Sequence, residues 1–258
     1  MYEGNPGIPN AAFCGMVTNI DENFGRLEAR LGELGIADNT ILIFMTDNGS
    51  DGGLVVGEGE RIVKGYNAGM RGKKGSYYDG GHRVPFFIRW PNGCIGGGRD
   101  ISEMAFHVDL LPTFIDLCGL KAPEGVVFDG ISLAGLIHGS EAALPDRTQF
   151  LQYRQDTVPP QKWTNAVVTK QWRLVRGVEL YNIKADPGQE NDVAAEHPDV
   201  VARLRAAHER WWEEISPRLE EYSPISLGND AENPTLLDAM DVMGDMAFSQ
   251  KIGRASCR

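Results

Sequence analysis

Ile41-Leu42-Ile43-Phe44-Met45-Thr46-Asp47-Asn48-Gly49 is the stretch on which the fold class turns. Its apolar run lies between the turn residues Asp38-Asn39 and Asn48-Gly49. Such a run predicts a strand buried on both faces, the kind found inside a helix-covered parallel sheet. Upstream, Val17, Ile20, Phe24, Leu27, Leu31 and Leu34 recur at steps of three and four, which predicts an amphipathic helix near residues 16–34. Gly35 then suits the left-handed position that ends helices. A helix feeding a buried strand makes the class α/β, with a partial, mainly parallel sheet flanked by helices.

Downstream, residues 49–76 are glycine-rich and read as one long loop, a place where function concentrates. Val84 to Trp90 predicts another strand, and Asp109 is placed to cap a helix running through Cys118. Near residue 140 the pattern changes. Phe150 to Tyr153, Ala166 to Thr169 and Trp172 to Val175 predict short strands, the last two a hairpin joined by Lys170-Gln171. Pro198 opens a helix whose Val201, Leu204, Trp211, Trp212 and Ile215 face inward. The expected organisation is therefore an α/β unit over 1–140 and a small antiparallel sheet with a C-terminal helix over 141–258, the tail after about 217 unassigned.

The bulk chemistry narrows the function. The 258 residues carry a formal net charge of −11, a poor match to nucleic acid, whose recognition needs lysine and arginine against phosphates. No apolar run approaches the roughly 20 residues of a membrane helix. Cys14, Cys94, Cys118 and Cys257 form no CxxC pair, which speaks against zinc. An anionic substrate would have to be held by local cations or a metal.

Two stretches carry candidate chemistry. Asp47 and Asn48, at the carboxyl end of a strand, stand where open α/β sheets bind ligands, and their oxygens suit a hard cation such as calcium or magnesium. The same Asp-Asn-Gly also makes an ordinary strand-end turn. Gly69 to Pro85 interleaves Arg71, Lys73, Lys74, His82 and Arg83 with glycines and hydroxyls, able to wrap an anion. It lacks the spacing of a phosphate-binding P-loop, and a solvated basic loop would read alike.

Together and in this order, Asp47-Asn48-Gly49 and Gly72-Lys73-Lys74-Gly75-Ser76-Tyr77-Tyr78-Asp79-Gly80-Gly81-His82-Arg83-Val84-Pro85 resemble the sulfatase family. Further similar stretches are Gly15-Met16-Val17, Asp109-Leu110-Leu111-Pro112-Thr113, Asp129-Gly130-Ile131-Ser132-Leu133, and Glu179-Leu180-Tyr181 with Asp186-Pro187. The resemblance implies the C-terminal part of an alkaline-phosphatase-like catalytic domain over 1–140. It makes Asp47 and Asn48 ligands of a divalent cation, usually calcium, with magnesium as the alternative. Lys74 would be the catalytic, sulfate-binding lysine, with Lys73 its rival, and His82 a substrate contact. The implied activity is sulfuric ester hydrolysis of aryl or carbohydrate sulfates. Alternatives are a phosphate or phosphonate monoester hydrolase of the same superfamily, or a non-catalytic module binding anionic glycans. A periplasmic, secreted or lysosomal setting is implied by family only.

The family's formylglycine arises in a C/S-x-[PA]-x-R motif that no cysteine or serine here begins. It is expected in a segment ahead of the helix near residue 16, so this chain is expected to be an inactive fragment with both ends artificial. One nucleophile-free lysine and two ligands cannot activate an attack by themselves.

Overall fold

The structure is a computed structural model that describes residues 2–219, apart from 6, 7, 9, 96, 142 and 154–158. Cys257 and the tail from Lys251 to Arg258 lie outside the described residues.

The first helix, α1 (Ala11–Glu33), starts five residues before the predicted start near residue 16, because Asn10 caps it by accepting from the Phe13 N–H at 3.0 Å. Gly35 ends it with φ +69°, as its sequence position implied. The stripe is only half used. Phe24 meets Phe44 edge-on at 5.4 Å, while Val17, Ile20, Leu27 and Leu34 remain exposed.

The strand of the opening stretch is β1 (Leu42–Met45). Between it and the second basic stretch, the predicted long loop contains a small hairpin, β2 (Val55–Val56) with β3 (Ile62–Lys64), and then a single helical turn, α2 (Asp79–His82). The strand after that turn, β4 (Phe86–Arg89), pairs antiparallel with β1, Leu42 opposite Arg89 and Met45 opposite Phe86. This differs from the mainly parallel sheet expected: every pairing among the described residues is antiparallel. A short apolar run fixes a strand without fixing the direction of its neighbour, and β1 has one paired edge here. It is correspondingly half-buried rather than buried on both faces. Beneath β1 and β4, α3 (Leu110–Leu117) and α4 (Ala134–His138) bring Leu117, Leu136 and Ile137 against Ile41, Ile88 and Trp90.

Asp109 is a junction more than a cap. It makes no side-chain cap to α3. Its carboxylate takes two bonds from Arg147, at 2.6 and 2.5 Å, and the N–H groups of Phe106 and Ile131. Burial would raise this carboxyl, but the Arg147 fork and the two backbone donors outweigh it and hold it below its ordinary value.

In the C-terminal part the three expected strands form as β5 (Gln149–Gln152), β6 (Asn165–Val168) and β7 (Trp172–Val175), and a fourth that the sequence pattern did not predict, β8 (Glu179–Asn182), completes one antiparallel sheet in that order. The period-two alternation of strands sorts its residues onto two faces. Val167, Leu174 and Leu180 meet Val200 and Leu204 of α5 (Pro198–Ile215). Ala166, Val168, Val175 and Tyr181 turn the other way and pack on Tyr78, inside the second basic stretch. Each fully buried aliphatic side chain contributes about 1.5–3 kcal/mol. The small sheet thus joins its own helix on one side and the candidate site loop on the other.

Candidate active site

Asp47 and Asn48 stand just past the carboxyl end of β1, with Thr46 between, as the sequence pattern implied. Asp47 is exposed, with Oδ1 accepting from the Asn48 N–H at 3.0 Å. The Asn48 amide donates to the Gly49 carbonyl at 2.9 Å, and the Thr46 hydroxyl donates to the Asn48 carbonyl at 3.0 Å. With its N–H₂ engaged, the Asn48 side chain has its carbonyl oxygen left to offer. This turn is stitched to the lysine loop by two backbone bonds. The Gly49 N–H donates to the Gly81 carbonyl at 3.0 Å, and the Lys74 N–H to the Ser50 carbonyl at 3.0 Å.

The two adjacent lysines part ways. Lys73 reaches Asp51 at 2.9 Å, and the bond from Lys73 together with its charge holds the Asp51 carboxyl below the ordinary range. Lys74 is exposed and has no ion pair among the described residues. Its backbone, bonded to Ser50, runs next to the Asp47–Asn48 turn. Tyr153, at the end of β5, borders the adjacent Gly75; a Cβ there would sit 3.2 Å from its ring.

His82 turns inward. Its Nε2 lies 3.9 Å from Oδ1 of the fully buried Asp79, and no hydrogen bond reaches that nitrogen among the described residues. Burial pulls its pKa down to about 4 against the opposing pull of Asp79, so the ring is neutral at pH 7.

Sequence reasoning missed the groups that hold the loop. Arg71 donates to the Tyr181 hydroxyl at 2.9 Å and the Gln189 carbonyl at 3.2 Å, and its guanidinium lies 3.8 Å over the Tyr78 ring. Glu179 accepts from both the Tyr78 and Tyr181 hydroxyls, at 2.7 and 2.5 Å. The signal was present in the alternation of Glu179, Leu180 and Tyr181, which makes a strand with Leu180 facing α5 and Tyr181 facing the loop.

The Sulfatase family model matches residues 10–120, and the model for N-sulphoglucosamine sulphohydrolase, C-terminal, matches residues 72–213, more than half the chain. The chain belongs to the sulfatase family. Within the alkaline-phosphatase-like superfamily to which sulfatases belong, several relatives stand near it. Steryl-sulfatase of Mus musculus is 33% identical over 156 residues, 60% of this chain and 24% of that protein. N-acetylgalactosamine-6-O-sulfatase of Bacteroides thetaiotaomicron is 27% identical over 230 residues, 77% of this chain and 43% of that protein. The crystal structure of Ps i-CgsB in complex with k-i-k-neocarrahexaose is 26% identical with a TM-score of 0.66, covering 82% of this chain and 45% of that one. The sulfatase chain thus spans less than half the length of these relatives.

Sulfatases generally use a divalent metal. Asp47 and Asn48 offer a carboxylate and an amide oxygen, a donor set that fits a hard cation as part of a shell of about 6–8 oxygens. Among the described residues no group of three or more His, Cys, Asp or Glu side chains converges to complete such a shell.

Proposed function

We propose that this chain is the sulfate-holding part of a sulfuric ester hydrolase acting on aryl or carbohydrate sulfates. One observation carries the reading: the Gly49–Gly81 and Lys74–Ser50 bonds bring the Asp47–Asn48 turn beside a loop in which Asp51 engages Lys73 and leaves Lys74 free. In this reading Asp47 and Asn48 hold the cation, most suitably calcium with magnesium as the alternative. When bound, it would supply fixed positive charge at the sulfate oxygens. Lys74 places its ammonium on the same group and stabilises the charge that grows as the S–O bond breaks. His82, neutral and aimed at Asp79, shapes the loop in place of touching substrate. The formylglycine nucleophile is not among these residues, since no cysteine or serine begins its motif. The names of the relatives, on steroid and amino-sugar sulfates, support the sulfate-ester class. The α/β part over 1–140 carries these groups, the part from 141 braces them, and a periplasmic, secreted or lysosomal setting belongs to the same reading. Among the described residues no helix is long and apolar enough to cross a membrane.

Calorimetric titration of the purified chain with sodium sulfate, phosphate and calcium chloride tests this. We expect Lys74→Ala to weaken sulfate binding roughly tenfold to a hundredfold, the worth of a charge-assisted bond, and Lys73→Ala to change it far less. Asp47→Ala should weaken calcium binding. Equal losses for the two lysines would overturn the assignment of Lys74. Phosphate preferred over sulfate would favour a phosphate or phosphonate monoester hydrolase. Binding of sulfated oligosaccharides with no dependence on Lys74 or Asp47 would favour a glycan-binding module.

A further inference from the structure

The two site segments meet on α2, and α2 has little means of holding itself. It is four residues long with glycines at its centre, where helix nucleation is costly and glycine adds roughly 1 kcal/mol against alanine. Yet it is wedged tightly. The Gly81 carbonyl accepts from Gly49, and the Gly80 N–H donates to the Arg71 carbonyl at 2.8 Å. A Cβ on Gly80 would lie 2.2 Å from the Gly72 carbonyl oxygen, and one on Gly81 2.2 Å from that of Ser76. α2 is therefore in contact with both the Asp47–Asn48 turn and the Lys74 loop.

What fixes α2 comes from the distant small sheet. Asp79, its first residue, is 0% exposed. Its Oδ1 accepts from Nε of Arg173 on β7 at 2.7 Å, and its N–H donates to Oε1 of Gln189 at 2.7 Å. Gln189 is itself fully buried and sits at φ +52°. Arg173 is aimed by the Thr169 carbonyl at 2.5 Å and the Trp172 carbonyl at 3.2 Å. Arg83 approaches the other Asp79 oxygen only to 3.7 Å and is largely exposed, so Arg173 is the main compensation for a buried carboxylate.

We propose that Arg173 is a positioning residue of the site: through Asp79 and α2 it sets both the Asp47–Asn48 turn and the Lys74 loop. The proposal rests on the reading of those segments as the cation- and sulfate-binding site. It makes the small C-terminal sheet part of the apparatus that orders the site, and it couples two ligands that lie on separate segments. Losing Arg173 loosens both at once.

The test is made on the full 258-residue chain with sodium sulfate and calcium chloride as probes. Arg173→Lys keeps the charge but not the Nε geometry. The double variant Arg173→Met with Asp79→Asn removes charge and counter-charge together, so no ion is stranded and folding is retained where Arg173→Met alone could fail. We expect both variants to lose sulfate and calcium affinity in parallel, roughly 10–100-fold, as partners behind ligands do. Hydrogen exchange should quicken at the Gly49 and Lys74 amides while amides paired in β5 and β6 keep their protection. Uniform loss of protection across the chain would show a merely structural role and overturn the proposal. So would parent-like affinities in both variants when Lys74→Ala and Asp47→Ala each weaken their own ligand, an outcome that leaves the proposed function standing. Indifference of sulfate to Lys74→Ala and of calcium to Asp47→Ala would instead remove the site, and the positioning role with it.

Discussion

Gly49 has no room for a side chain: a Cβ there would come within 1.9 Å of the Gly80 carbonyl oxygen. Its φ is not positive, so the demand is for space and not for an unusual backbone. The neighbour is rigid backbone wedged between two loops, which cannot yield as a flexible side chain would. We expect Gly49→Ala to push α2 away, break the Gly49–Gly81 bond and destabilise the chain by about 1–3 kcal/mol, the range for overpacking. Urea unfolding checks the stability, and calcium titration should show weaker binding in the same variant. The two lysines illustrate a different limit. The motif alone points to Lys74, whereas the pairing of its neighbour Lys73 with Asp51 depends on residues 22 apart meeting in space.

Among the elements, those with their own pattern were legible. The β6–β7 hairpin has two short apolar runs with three residues, Thr169 to Gln171, between them, and α5 has a proline start and a clear stripe. The β2–β3 hairpin was not, because strands of two and three residues carry too little alternation to read. Nor was α2, since Gly80-Gly81 disfavours helix and only the surrounding loop imposes it. The contact between β8 and the loop was equally hidden, and it yields a measurable expectation. Burial and the Glu179 bond raise the Tyr78 pKa to about 12, and the same causes push Tyr181 up. Glu179→Ala would leave two buried phenols without their acceptor, each costing about 1–3 kcal/mol, whereas Glu179→Gln keeps an acceptor. We expect a lower thermal midpoint for the alanine variant than for the glutamine one. Ultraviolet titration should show a tyrosine ionising closer to 10 in both. Unchanged titration would mean Glu179 is not the group acting on these tyrosines.

For the whole molecule, the small sheet is the hub, and acid is its weak point. His208 of α5 is fully buried beneath it, stacked on Trp163 at 3.8 Å with Trp211, Trp212 and Phe150 around it. Its Nε2 meets the Asn165 amide at 2.6 Å, and burial drags its pKa to about 4. With the amide as donor, that nitrogen accepts only while the ring is neutral. His82 is lowered to about 4 by burial as well. An unfolded chain takes up these protons near the ordinary histidine value of about 6.5, whereas the folded chain resists them. Stability from both groups is therefore complete above about pH 6.5 and falls as the pH drops towards 4, by on the order of 3 kcal/mol for His208. Asp109, held below its ordinary carboxyl value, acts in a separate window: its contribution persists to lower pH and is lost only beneath that value. The variant His208→Phe keeps the aromatic stack and removes the titration. We expect its thermal midpoint to be flatter between pH 6.5 and 4 than that of the parent chain, with the remaining slope due to His82, and to converge with the parent's steep decline once carboxylates such as Asp109 protonate. A variant curve parallel to the parent's through that window would mean that His208 is protonated in the folded chain, and that the aromatic cluster under the sheet does not exclude charge.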